Sequence, residues 1–202
     1  MAHDSLIDFL KQLESAGELH RIKQAVATEL EITEIAHREM KKPGGGQALI
    51  FEQPTLNGEP SPVPLAINIY GSEKRMAMAL GRDSVEDAAS ELNELVKAKP
   101  PKSLGDTFKL LGTALDLRHT KPRKVKDGPC KDIIHKFDRS NLKKQELATL
   151  LNLPIQQCWP QDAGRFITLP CVVTRDPDTG ERNLGMYRMQ VFDNQTTAIH
   201  WQ

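Results

Sequence analysis

"RFITLPCVVTRDPDTGERNLGMYRMQVFDNQTTAIHWQ", residues 165–202, changes the rhythm of the chain: apolar and polar residues here alternate with a period close to two. "RFITLPCVVTRD" alternates over Phe166, Thr168, Cys171 and Val173, as a half-buried strand does. "DPDTG" (176–180) is a turn with a mechanism: Pro presets φ, Asp tolerates the left-handed region, and Gly supplies a positive φ. "NLGMYRMQVFD" (183–193) returns as a second strand, "DNQT" (193–196) turns the chain again, and "TAIHW" (197–201) starts a third. The segment therefore predicts an antiparallel meander. A meander needs further strands or a covering layer, so it reads as the front of something longer.

Upstream the pattern is mixed. "SLIDFLKQLESAGEL" puts Leu6, Phe9, Leu10 and Leu13 on one helical face, with Asp4 or Ser5 to cap it and Gly17 to stop it. A short strand in "HRIKQAV" follows. A second helix over "ELEITEIAHREMKK" ends at Pro43 and Gly44–Gly46. "QALIFEQ" and "LAINIYG" predict short apolar strands, and "PTLNGEPSPVP" between them predicts a loop. "SEKRMAMALG" and "SVEDAASELNELVKAK" predict two more helices. Helices alternating with short apolar strands define an α/β class. The expected organisation is an N-terminal α/β domain over 1–120, a connector with a helix over 121–154, and a β segment over 155–202. Helices are expected within "SLGDTFKLLGTALDL" (103–117) and "NLKKQELATLLNLPI" (141–155).

Composition excludes several classes. Of 202 residues 39% are hydrophobic and 27% charged, which rules out a chain disordered for most of its length. Lys+Arg and Asp+Glu both number 27, so a dedicated nucleic-acid binder is not expected. The run Lys121, Arg123, Lys124, Lys126 could touch phosphates, although charge runs are more often a solvated face. No apolar run is long enough for a transmembrane helix, and the amphipathic, acidic N-terminus is not a signal peptide. Cys130, Cys158 and Cys171 are widely spaced with no CxxC pair, so buried free thiols in a cytoplasmic protein are expected.

The stretch "NLGMYRMQ" (183–190) is unusual for a core strand. Asn183 follows a turn, where its amide could cap the backbone or offer a neutral oxygen to a hard cation such as Mg²⁺ or Mn²⁺. Gly185 inside a strand marks a bulge or a close approach. On a regular strand Asn183 and Arg188, five apart, would point to opposite faces. They serve one site only if the backbone near Gly185 bulges or twists.

The resemblance to a known family rests on long blocks. They are "LIDFLKQLESAGELHRI" (6–22) with "LEITEIAHR" (30–38), "ALIFEQP" (48–54), "GSEKRMAMALG" (71–81), "KPPKSLGDTFKLL" (99–111), "GPCKDIIH" (128–135) and "LPIQQCWPQDAGRFITLPCVVTRDPDTGERNLGMYRMQ" (153–190). Nearly end to end the chain resembles the UbiD family of prenylated-FMN-dependent decarboxylases, particularly the 3-polyprenyl-4-hydroxybenzoate branch. The resemblance implies that residues 155–202 open a flavin-reductase-like split β-barrel. It implies that Asn183 is a ligand to a divalent cation, usually Mn²⁺, that holds the flavin phosphate. Met186, Tyr187 and Arg188 match a flavin-contacting stretch, and His200, Trp201 and Gln202 match a second. Arg188 also matches the arginine of a catalytic Glu-Arg-Glu set. Whether His200 ligates metal as well is left open.

The implied activity is non-oxidative decarboxylation of an aromatic acid, in quinone biosynthesis, with the modified flavin as electron sink. A guanidinium there can hold a substrate carboxylate bidentately and depress the pKa of a neighbouring glutamate. The implied partners are a flavin prenyltransferase that supplies the cofactor and further copies of the same chain. Family members are longer, so the 202 residues are expected to hold part of a site and no complete catalytic set. The alternative of a different class is a non-catalytic flavin- or metal-binding subunit that works with a second chain.

Overall fold

The computed structural model describes residues 3–97, 125–132, 134 and 149–200. They belong to two compact units, one of residues 1–85 with 137–202, the other of 86–136. The helix expected over 103–117, most of that over 141–155, and residues Lys121, Arg123, Lys124, Trp201 and Gln202 lie outside the described residues. The second unit holds most of helix α4 (Val85–Val96) and a short 3-10 turn at Pro129–Lys131.

In the first unit, α1 (Leu6–Ser15) starts where Ser5 Oγ accepts the N–H of Asp8 at 3.2 Å. It stops at Gly17, whose φ of +71° lets the Gly17 and Glu18 N–H groups close on the carbonyls of Glu14 and Leu13. Strand β1 (Leu19–Ala27), helix α2 (Glu31–Met40) and strand β2 (Ala48–Leu56) follow, and β1 and β2 pair in parallel with a register shift between Ile22 and Ala25. Strand β3 (Glu59–Pro60) and β4 (Leu65–Ile67) pair antiparallel to β2, and α3 (Glu73–Leu80) comes next.

β2 is covered on both faces, which explains its unbroken apolar run. Leu49 and Phe51 pack with Val26, Ile32, Ala36 and Leu65 on the α2 side. Ala48 and Ile50 pack with Phe9, Leu13 and Leu19 on the other, where Ile69, Met78 and Ala79 close the layer. "PTLNGEPSPVP" is not a plain loop: β2 continues to Leu56, and Asn57 and Gly58, both at positive φ, turn it into β3. An Asn-Gly pair between strand ends is a strong hairpin signal, and the surrounding prolines masked it.

The triple glycine does more than end a helix. Arg75, fully buried on α3, donates to the carbonyls of Gly46 at 2.5 Å and Gly45 at 3.2 Å and to Glu18 Oε2 at 3.0 Å. Asn68 Nδ2 donates to the Gly45 and Gln47 carbonyls, each at 2.9 Å. A β-carbon on Gly45 would overlap the carbonyl of Gly71, so only glycine allows this approach.

Among the described residues five strands follow: β5 (Arg165–Ile167), β6 (Cys171–Arg175), β7 (Arg182–Met186), β8 (Met189–Val191) and β9 (Thr197–Ile199). β5, β8 and β9 form one antiparallel sheet and β6 with β7 another. The fold class is therefore as expected, α/β followed by antiparallel strands, and these strands do not close a barrel. The predicted meander is corrected: each of its first two long strands is cut into two pieces that lie in different sheets. The cysteines are free but not buried, because Cys130 sits in an exposed turn and Cys171 on an uncovered strand face, while Cys158 is half-buried. No helix among the described residues is long and apolar enough to cross a membrane.

Candidate active site

β5–β6 and β7–β8 are the two arms of one long hairpin, broken at a corner. Ile167 faces Met189 and Cys171 faces Met186, so three residues on one arm oppose two on the other. That extra residue is a β-bulge, which bends a strand and re-aims side chains. Leu169, at φ +58°, and Pro170 sit on the longer arm of the corner, and Tyr187 and Arg188 on the shorter. The extra residue therefore lies on the arm opposite Gly185, and the strand that carries Asn183 and Arg188 is interrupted at Tyr187–Arg188 rather than bulged at Gly185. Gly185 itself stays in register opposite Val172. Its lack of a side chain makes room for the Tyr187 ring, which a β-carbon at 185 would overlap.

Asn183 is exposed on β7 opposite Thr174. With Thr174, Arg175, Asp176, Glu181 and Arg182 it lines an open hollow of about 400 Å³ at the turn end of the hairpin. The turn is built as its residues predict: Asp176 Oδ1 accepts the N–H groups of Asp178 at 2.9 Å and Thr179 at 2.6 Å, and Gly180 takes φ +70°. The Thr179 and Asp178 contacts hold the Asp176 carboxyl below its ordinary pKa. Met186, facing Cys171, shares an uncovered face with Val173 and Leu184. Asn183 lies on the opposite face of the same strand.

Arg188 is exposed, and its Cζ lies 4.4 Å from the centroid of the Phe166 ring. Because Met189 pairs with Ile199, Arg188 and His200 stand one position beyond the last registered pair, on neighbouring strand ends. The structure thus brings Tyr187, Arg188 and His200 to one corner. It places Asn183 toward the hairpin turn and shows no contact between Asn183 and Arg188.

Arg165 and Phe166 carry no signal of their own in the sequence, yet they anchor this corner. Arg165 donates from Nη1 to Thr28 Oγ1 and the Ile155 carbonyl, each at 2.9 Å, and from Nη2 to Asn57 Oδ1 at 3.2 Å. Glu29 Oε2 lies 3.8 Å away. Burial pulls the guanidinium below its ordinary pKa, and Glu29 works against that. Thr28 is itself fully buried and donates to the Thr55 carbonyl at 2.8 Å. Alongside, Leu30 N–H donates to Gln157 and Phe166 N–H to Gln156, so residues 156–157 stitch the end of β1 to β5.

These residues fit part of a phosphate-and-metal flavin site. The Asn183 amide, with no hydrogen-bond partner among the described residues, suits a hard dication as one neutral oxygen ligand. No three His, Cys, Asp or Glu side chains converge among the described residues, so any metal that Asn183 helped to hold would draw its other ligands from outside them. Arg188 and Tyr187 combine a cation with an aromatic ring at that corner, while Met186 offers its thioether on the face it shares with Val173 and Leu184.

Two family models match the chain, one over the α/β layer and one over the antiparallel strands. Residues 10–97 match the 3-octaprenyl-4-hydroxybenzoate carboxy-lyase N-terminal domain, and residues 123–202 its Rift-related domain. The chain belongs to the UbiD family. An uncharacterised protein of Archaeoglobus fulgidus is 41% identical over all 202 residues, which are 38% of its own length. The vanillic acid decarboxylase of Sedimentibacter hydroxybenzoicus in open form superimposes with a TM-score of 0.71 at 27% identity, over 98% of this chain and 36% of that one. An evolved dimeric form of the UbiD-class enzyme HmfF from Pelotomaculum thermopropionicum, in complex with prFMN, does so at 0.70 and 25%, over 99% and 39%. The chain thus spans under two fifths of these relatives.

Proposed function

We infer that the protein works as a carboxy-lyase that removes CO₂ from an aromatic acid such as 3-polyprenyl-4-hydroxybenzoate, using prenylated FMN and Mn²⁺ or Mg²⁺. What supports this most is the pair of family matches, which between them take in the α/β layer and the broken hairpin. Prenylated FMN supplies the electron sink that decarboxylation needs. In this reading Asn183 holds the metal that neutralises the flavin phosphate. Met186 and Tyr187 line the ring system together with His200, Trp201 and Gln202. Arg188 is the catalytic arginine: its planar fork takes the substrate carboxylate bidentately and sets its orientation. A role in quinone biosynthesis, a cytoplasmic location, supply of the cofactor by a flavin prenyltransferase and assembly into a homo-oligomer complete the proposal.

The test uses the protein encoded by the complete gene, co-produced with a flavin prenyltransferase. It is expected to release CO₂ from a 4-hydroxybenzoate-type acid. Arg188→Ala is expected to lower kcat/KM about a hundredfold or more. Unchanged turnover in that variant would remove Arg188 from the mechanism.

A further inference from the structure

Arg188 sits on the short link between β7 and β8, outside both strands. Its guanidinium makes one contact among the described residues, over the Phe166 ring at 4.4 Å. Phe166 by contrast is held firmly. It is half-buried in the middle of β5, pairs with Gln190, and donates its N–H to Gln156 at 3.0 Å. Its neighbour Arg165 is tied to Thr28, Ile155 and Asn57. The ring is therefore in place whatever Arg188 does. An arginine on an irregular link has several rotamers to lose, and a ring face attracts the cation into one of them.

We propose that Phe166 is a positioning residue for Arg188, a shelf that keeps the guanidinium at the corner it shares with Tyr187 and His200. This rests on the reading of Arg188 as the group that meets the substrate carboxylate. Phe166 itself takes no part in the chemistry and acts through Arg188.

The experiment compares wild type, Phe166→Leu, Phe166→Tyr and Arg188→Ala in the protein from the complete gene. One readout needs no cofactor: the rate at which phenylglyoxal modifies Arg188, followed by peptide mass spectrometry. Without the ring, Phe166→Leu is expected to react roughly two- to fivefold faster, the weight of an exposed cation–π contact, and Phe166→Tyr at the wild-type rate. In the loaded enzyme Phe166→Leu is expected to lose kcat while KM changes little, and Phe166→Tyr to restore it. Equal modification rates in Leu and wild type would overturn the inference. So would faster modification with unchanged kcat, given that Arg188→Ala is inactive. If Arg188→Ala keeps full turnover, the functional reading falls and the shelf loses its catalytic purpose, whereas the modification rates still decide whether the ring holds the guanidinium. Should Phe166→Leu not fold, Phe166→Met replaces it, keeping the volume without the ring, with the same outcomes.

Discussion

Tyr187 lies with its ring against Gly185, at a spacing of two residues that places both on one side of the strand. A methyl group at 185 has to displace that ring, and overpacking of this kind costs about 1–3 kcal/mol. Gly185→Ala is therefore expected to lower stability to chemical denaturation by that amount, and to cost nothing in a Tyr187→Ala background. Equal losses in both backgrounds would show that the ring is not the obstacle. At this scale the residue types were legible. Asn183, Arg188 and the special status of Gly185 all stand out in "NLGMYRMQ". The neighbour that Gly185 accommodates does not, because a glycine signals empty space without saying what fills it.

At the scale of elements, the start of α3 is tied to the end of α1 by charge. Glu18 accepts from Lys74 Nζ at 2.7 Å and from Arg75 Nη1 at 3.0 Å. The Lys74 hydrogen bond, joined by that from Arg75, lowers the Glu18 pKa from its ordinary 4.5 against the opposing effect of burial. A carboxylate with a lowered folded-state pKa contributes stability above pH 4.5 and loses it as pH falls through the folded value. Unfolding curves between pH 7 and pH values below about 4.5 are thus expected to fall more steeply for wild type than for Glu18→Gln. Parallel curves would exclude the linkage. The helices among the described residues were readable because their apolar faces are local, as is the Ser5 cap of α1. The hairpin arms were not: period-two alternation runs on past a bulge, and nothing in it marks where a strand changes sheets. The two-residue turn at Asn57–Gly58 was readable in principle and was hidden among prolines.

At the scale of the whole first unit, one side chain joins its α/β layer to its β strands. Arg165 reaches Thr28 at the end of β1, Asn57 in the β2–β3 turn and Ile155 in the connecting segment. Arg165→Met keeps much of the apolar stem and removes the donor from the buried Thr28 hydroxyl and the Ile155 carbonyl. It is expected to lower stability by about 2–3 kcal/mol, read by urea unfolding. A loss within experimental error would mean that backbone pairing through Gln156 and Gln157 suffices.

The division between sequence and structure follows the range of the interactions. Helix faces, caps, the turn at Asp176–Gly180 and the family blocks depend on residues close along the chain, so reading order alone determined them, along with the α/β class. Tertiary structure alone decided that Arg165 clamps residues more than a hundred positions away, that the long hairpin breaks at Leu169–Pro170 and Tyr187–Arg188, and that Arg188 rests on Phe166. Each of these depends on which segments meet in space. Alternation and propensity carry no record of that.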